Sequence, residues 1–404
     1  MPDYNQILEQ CKRLNATSAE VLDNFLIYYS ATKDKTDQDF ETKITRFKDV
    51  VKEMPSPWKG MIKSQYIAHR IFRQGGLIHK YLNHVAVKDR SNHEQEWLSN
   101  MAAHPWRFCF SQLMANPAPD FYEMEDILTG ESFLLYSPSV TRNLEANPVM
   151  LWFNLIGYNG SCWQTYGPVT GFCSFNVDDI FFYATEINPA IESEPDLIKD
   201  INDNPVRYMM LASGATLPLV IQENHEVVQV TGEGITNKFN VQALKKEFRV
   251  EFADSIFKLS HAKWSEPPHF AEAYYDEESR DTLLYALTDK GYHEMAILLN
   301  ARGLDIPEEP DVRLHLTMSH VIKKVLKRMP ELNPYAHLFE QQKSPETEAE
   351  FAKLNQLLAL ALPDINAGRQ PDVAALAKQV GVDQQIAEEV LKKSMDRINY
   401  LRSK

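Results

Sequence analysis

The dipeptide Asn159-Gly160 restricts this chain more than any other short stretch. Both residues tolerate left-handed backbone, so between two apolar runs they specify a tight antiparallel hairpin. The flanks fit: Val149–Tyr158 reads VMLWFNLIGY and Ser161–Tyr166 reads SCWQTY. Val149–Ile156 is almost continuously apolar, so both faces of that strand must be covered. A small barrel or sandwich does this better than a sheet with one wet face. A second turn, Thr129-Gly130-Glu131, joins Phe121–Leu128 to Ser132–Tyr136, and Trp106–Leu113 opens the unit. From Trp106 to Phe175 the chain is β-rich, whereas elsewhere it reads mostly helical.

At 404 residues the chain exceeds one ordinary core, and 44% apolar with 11% aromatic residues suffices to fill several. Residues 1–104 read as a helical region. Tyr4, Ile7, Leu8, Cys11 and Leu14 share one helical face, as do Phe40, Ile44, Phe47, Val50 and Met54. Ser91 with Glu94 makes a capping box for a helix through Ala103. Residues 105–185 form the small β-rich domain. Residues 186–215, acidic and proline-containing, read as a linker with one short helix; Tyr208–Ala215 fits a strand or a buried helix equally well. Residues 216–330 form an α+β domain. Its strands turn at Glu223-Asn224, Phe270–Asp276 pairs with Thr282–Thr288, and helices span Asp289–Ala301 and Ser319–Met329. Residues 331–404 are a helical tail with helices over Glu346–Ala361, Asp372–Val380 and Gln384–Leu401. The expected fold class is α+β: a helical N-terminal region, a small antiparallel β unit, a second α+β unit and a helical C-terminal tail.

The formal net charge is −14, which opposes non-specific binding to nucleic acid or to anionic membrane. Against that background the helix SHVIKKVLKRM stands out, with Lys323, Lys324, Lys327 and Arg328 available to a phosphate backbone or an acidic partner. The bland alternative is a solvated face that pairs with the protein's own carboxylates. The stretch from Asp372 onward has the outline of a helix-turn-helix, with Gly381 at the turn and Lys392 and Lys393 as its basic residues. Glu388 and Glu389 on the reading helix argue against DNA, and a structural hairpin or protein-docking surface fits them better.

Enzymatic motifs are not apparent. His79/His84 and His315/His320 are each five apart, which separates them on a helix. His293-Glu294 lacks the second histidine of H-E-x-x-H, since Ile297 stands there. Gly232 and Gly234 in TGEGITN lack the rest of a phosphate loop. Asp178-Asp179 reads as surface charge. Cys11, Cys109, Cys162 and Cys173 form no C-x-x-C pair and read as buried small hydrophobes. Trp152, Phe153, Tyr158, Trp163 and Tyr166 read as core rather than as a stacking platform. No metal or cofactor is expected. Without a signal-peptide pattern or an 18-residue apolar run, the expected location is cytoplasmic, with no membrane association.

The order of segments from about Trp58 to Phe175 is similar to that of a group of uncharacterised bacterial proteins with a D-L-L-T-G-E turn, many ending in a cysteine-rich SEC-C zinc tail. The matching residues are Asp126 to Glu131, Ser139 to Leu144, and Gly167-Pro168. The strand–strand–helix around Phe270–Ala301 resembles their second mixed unit. The cysteine-rich tail has no counterpart here, and the resemblance implies no activity. The sequence therefore points to a non-enzymatic binding or regulatory protein whose partner is another protein. The alternatives are a nucleic-acid-associated protein and an enzyme whose site is assembled from distant residues.

Overall fold

The computed structural model describes residues 3–237, 239–339, 353–354, 356–358, 360–361 and 369–392. They divide into two compact units, residues 1–334 and residues 335–404.

The first unit begins with helices α1 (Tyr4–Ser18), α2 (Ile27–Lys33), α3 (Thr36–Ile44), α4 (Lys48–Glu53), α5 (Trp58–Phe72), α6 (Ile78–Tyr81), α7 (Val85–Lys88) and α8 (Asn92–Ala103). Asp3 starts α1 by accepting from the backbone N–H groups of Asn5 and Gln6. The capping box at the start of α8 forms as expected. The Glu94 N–H donates to Ser91 Oγ, and the Ser91 N–H donates to Glu94 Oε2.

Strands β1 (Arg107–Ala118), β2 (Phe121–Asp126), β3 (Ser132–Tyr136), β4 (Leu151–Tyr158) and β5 (Trp163–Phe172) close into a barrel in the order β1-β2-β3-β5-β4. The expected unit was antiparallel, but β3 and β5 pair in parallel. A closed ring with an odd number of strands cannot alternate direction all the way round, so one pair must be parallel. Helix α9 (Pro138–Ala146) links β3 to β4 and places Val140 in the same cluster as Cys109, Met124, Leu135, Trp152 and Ile156. The intervening residues Phe108, Phe110, Leu151, Phe153 and Leu155 belong to the main core. This period-two division covers both faces of β4, as its apolar run requires. At the β4–β5 turn only Gly160 takes left-handed backbone, with φ 96°. Asn159 acts through its side chain, whose Oδ1 accepts from the N–H groups of Ser161 and Cys162.

Residues 186–215 are mostly helical, and their helices place apolar side chains in the core. Following α10 (Val177–Ile187) come α11 (Glu194–Asp203), α12 (Pro205–Met209) and a 3₁₀ stretch, Met210–Gly214. Pro195 and Pro205 sit at helix starts, where a missing N–H costs nothing. Leu197, Ile201, Tyr208, Met209 and Leu211 are buried in the main core.

A two-stranded hairpin, β6 (Ile221–Gln222) and β7 (His225–Glu226), turns at Glu223 and Asn224, both left-handed. Next come β8 (Val228–Ile235), α13 (Val241–Leu244), β9 (Arg249–Ala253), β10 (Ile256–Ser260), β11 (Ala271–Asp276), β12 (Asp281–Ala286), α14 (Asp289–Asn300), β13 (Val312–His315) and α15 (Leu316–Leu326). Six of these strands form an antiparallel sheet in the order β13-β8-β12-β11-β10-β9. Helix α14 packs onto it through Tyr292, Met295, Ala296 and Leu299. Helix α15 instead joins the core shared by the N-terminal helices, the outside of the barrel and α10–α12.

In the second unit, α16 (Ala336–Phe339) precedes α17 (Val373–Val380), and a further helix covers 384–392. Asp372 caps α17, Gly381 ends it with φ 72°, and Asp383 caps the next helix. Leu357, Ala361, Ala377, Val380, Ala387 and Leu391 form a separate small core. The rest of the helices expected over Glu346–Ala361 and Gln384–Leu401 lies outside the described residues.

Candidate functional site

The basic residues singled out in the sequence lie on and just after α15. Lys324 pairs with Glu53 at 2.7 Å, Lys327 with Asp49 at 3.6 Å, and Arg328 with Glu186 at 2.6 Å. These contacts tie the C-terminal end of α15 to α4 and α10. Lys323 is exposed and has no ion pair among the described residues. Lys392 is exposed in the second unit, and Lys393 lies outside the described residues. Three of the four clustered cations thus already hold carboxylates of the same chain.

A different cation cluster comes from segments about 160 residues apart in sequence (Arg207 against Arg46 and Lys43). Thr42, Lys43, Arg46, Phe47, Asn204, Val206 and Arg207 line a cleft of about 250 Å³. Lys43 lies near the end of α3, and Arg46 sits in the 3₁₀ turn Thr45–Phe47 that follows. Asn204 and Arg207 come from the α11–α12 junction. Phe47 and Val206, both buried, anchor the two sides in the core.

Two of the cations are held by carboxylates that do not line the cleft. Asp39 accepts from Lys43 at 2.5 Å and from the Tyr66 hydroxyl. Burial pushes the Asp39 pKa up, but the bonds from Lys43 and Tyr66 and the charges of Lys43 and Arg70 outweigh it, leaving it below its ordinary value. Buried Asp200 accepts from Arg207 Nη1 at 3.0 and 3.2 Å, from the Tyr208 hydroxyl at 2.8 Å and from Asn204 Nδ2 at 2.9 Å. Arg207 Nε and Nη2 make no hydrogen bond among the described residues, nor does any donor of exposed Arg46. Guanidinium donors fixed on one side and open on the other suit the planar oxygens of a carboxylate or the tetrahedral oxygens of a phosphate.

A wider cleft of about 860 Å³ is lined by Arg73, Trp106, Arg107, Lys199, Asn202 and Asp203, among others. Its cations are already compensated. Arg73 and Lys199 share Asp203 at 3.0 and 2.9 Å, and Arg107 holds Glu131 at 2.8 Å.

Several residue readings change with the tertiary structure. Asp179, read as surface charge, is fully buried; it caps α10 and accepts from the backbone N–H and Nδ1 of His315, the latter at 2.7 Å. Gly232 and Gly234 serve close packing, not phosphate. A Cβ at Gly234 would lie 1.9 Å from the Asp305 carbonyl oxygen, and one at Gly232 1.9 Å from the Tyr292 hydroxyl. Trp152 and Phe153 are buried, while Tyr158, Trp163 and Tyr166 are half-buried. Among the described residues no group of three or more His, Cys, Asp or Glu is placed to hold a metal ion. No helix among them is long and apolar enough to cross a membrane.

Fold and cleft together describe an α+β protein built on a small closed barrel, with a compact cation cluster on its helical side. Compared with known protein families, curated proteins and solved structures, the chain matches none.

Proposed function

We propose that this protein acts by binding, and that the cleft of Lys43, Arg46 and Arg207 takes an anionic group presented by another protein. One observation carries the reading: in a chain of net charge −14 no carboxylate lines this cleft, Arg46 is exposed with no ion pair among the described residues, and Lys43 and Arg207 are held by carboxylates only from outside it. The overall field repels anions at long range, so only a ligand that places its charge inside the cleft gains from it. An acidic side chain or phosphorylated residue does so. A nucleic-acid backbone would meet the negative field along its length, and three of the four cations on and just after α15 are paired internally.

The test is titration of the full chain with a glutamate-rich peptide, inorganic phosphate and a single-stranded oligonucleotide, at low and physiological salt. The peptide should bind, more weakly as salt rises. Arg46→Glu should weaken it at least about tenfold, which is about 1.4 kcal/mol. Arg46 is exposed and unpartnered among the described residues, so the variant should melt with the parent chain. Peptide binding unchanged in the variant would overturn the proposal. Oligonucleotide binding without peptide binding would replace a protein partner with nucleic acid.

A further inference from the structure

The four cysteines are scattered in sequence, yet two of them meet. Cys11, on the inner face of α1, places its Sγ 3.5 Å from that of Cys162, the last residue of the barrel's β4–β5 turn. The Asn159 side-chain amide donates toward both sulfurs, at 3.3 and 3.5 Å. Around them, polar side chains join helix to turn. Gln10 Nε2 donates to the Asn159 carbonyl, Ser161 Oγ donates to Gln10 Oε1, and Gln164 Nε2 donates to Asn15 Oδ1. Tyr4, Ile7, Leu8, Phe121 and Tyr136 complete an apolar shell. The other two cysteines differ: Cys109 lies in the barrel's cluster against Asp126, and Cys173 has no sulfur neighbour among the described residues.

We propose that Cys11 and Cys162 form a redox site in which a peroxide converts the two thiols to a disulfide that staples α1 to the barrel. The geometry supplies two sulfurs in contact and a shared donor that stabilises a sulfur anion between them. The bond from Cys162 lowers the Cys11 pKa; burial opposes this, and the Asn159 amide adds to it. The Cys162 pKa is raised by its bond to Cys11, by burial and by the Cys11 charge beside it. The Asn159 amide lies nearer the Cys11 sulfur, at 3.3 against 3.5 Å, so Cys11 is assigned as the attacking thiolate and Cys162 as the resolving thiol.

In the first step the Cys11 sulfur attacks one peroxide oxygen and the O–O bond breaks. The departing hydroxide takes a proton from solvent, leaving water and a Cys11 sulfenic acid. In the second step the Cys162 sulfur attacks the Cys11 sulfur. The S–S bond forms, the S–O bond breaks, and hydroxide leaves with the Cys162 proton as a second water. Two thiols lose two electrons and two protons, and one peroxide becomes two waters. An external dithiol reverses the change. Both cysteines are at most 1% exposed, so oxidant enters when α1 lifts from the turn, past exposed Gly160 and Ser161. The disulfide would then hold that opening shut.

The experiment exposes the folded full chain to hydrogen peroxide, blocks the remaining thiols with N-ethylmaleimide and maps the peptides by mass spectrometry. A Cys11–Cys162 linked peptide should appear, reversed by dithiothreitol, while Cys109 and Cys173 stay alkylated as thiols. The oxidised chain should melt several degrees higher, since the linkage closes a long loop. In Cys162→Ser, dimedone should trap the Cys11 sulfenic acid; in Cys11→Ser, Cys162 should remain a thiol. If the peroxide oxidises methionines of the folded parent chain while Cys11 and Cys162 stay reduced, the proposal fails. It fails equally if Cys109 or Cys173 reacts first. The peptide map of the parent chain decides this even if a variant misfolds.

Discussion

His69 lies fully buried beside Phe108, with ring centroids 4.9 Å apart, and burial together with the charge of Arg73 pushes its pKa down to about 3. His315 is buried too, but its Nδ1 bonds Asp179 and its Nε2 lies 3.6 Å from Glu226. Burial and nearby Arg313 oppose its protonation; the Asp179 bond and charge, with Glu226, outweigh them and raise its pKa. The two residues therefore act with opposite signs. His69 contributes stability above the ordinary value of 6.5, and that stability is lost as pH falls toward about 3, by up to about 1.4 kcal/mol per pH unit. The His315 contribution is complete below 6.5 and is lost as pH rises through its raised value. Melting temperatures across pH 4.5 to 9 should show this. Relative to the parent chain, His69→Leu should recover as pH falls, and His315→Gln should recover as pH rises. Curves that stay parallel to the parent would refute the assignment. Neither role was legible in the sequence, where these are isolated histidines, because burial and partner come from packing.

At the scale of elements, turn and cap chemistry reads directly from local sequence. The Ser91–Glu94 box, the turn at Gly130 and the hairpin at Glu223-Asn224 form as the residues imply. Glycine inside a strand is ambiguous, because the atoms that require it come from elsewhere. Gly234 in β8 faces the Asp305 carbonyl, and the same segment is tied down by the Thr282 hydroxyl donating to that carbonyl and the Asp305 N–H donating to Thr236. Backbone held this way cannot move aside cheaply. Gly234→Ala should therefore cost about 1–3 kcal/mol. Gly60 in α5 is exposed with nothing near its missing Cβ, and Gly60→Ala should stabilise by about 0.5–1 kcal/mol. Denaturant midpoints check both, and equal shifts in the two variants would contradict the argument. The long-range pairing of β3 with β5 left no local signal, since it follows from closing the barrel.

At the scale of the molecule, residues 1–334 have their own cores and residues 335–404 a separate small one. A chain ending at Pro334 should keep the melting transition of the first unit and the anion affinity of its cleft. Loss of either on truncation would show that the tail supports the first unit. What the sequence determined by itself is local and statistical. Turn residues, caps, apolar periods and the charge balance specify helices, hairpins and the α+β class, because those signals act between residues a few positions apart. Only the tertiary structure decided that the helices within residues 186–215 supply core residues, that three of the four cations on and just after α15 are paired, that Arg207 joins Lys43 and Arg46, and that Cys11 touches Cys162. Such meetings depend on how apolar faces distant in sequence bury one another, and a single chain of letters does not carry that geometry.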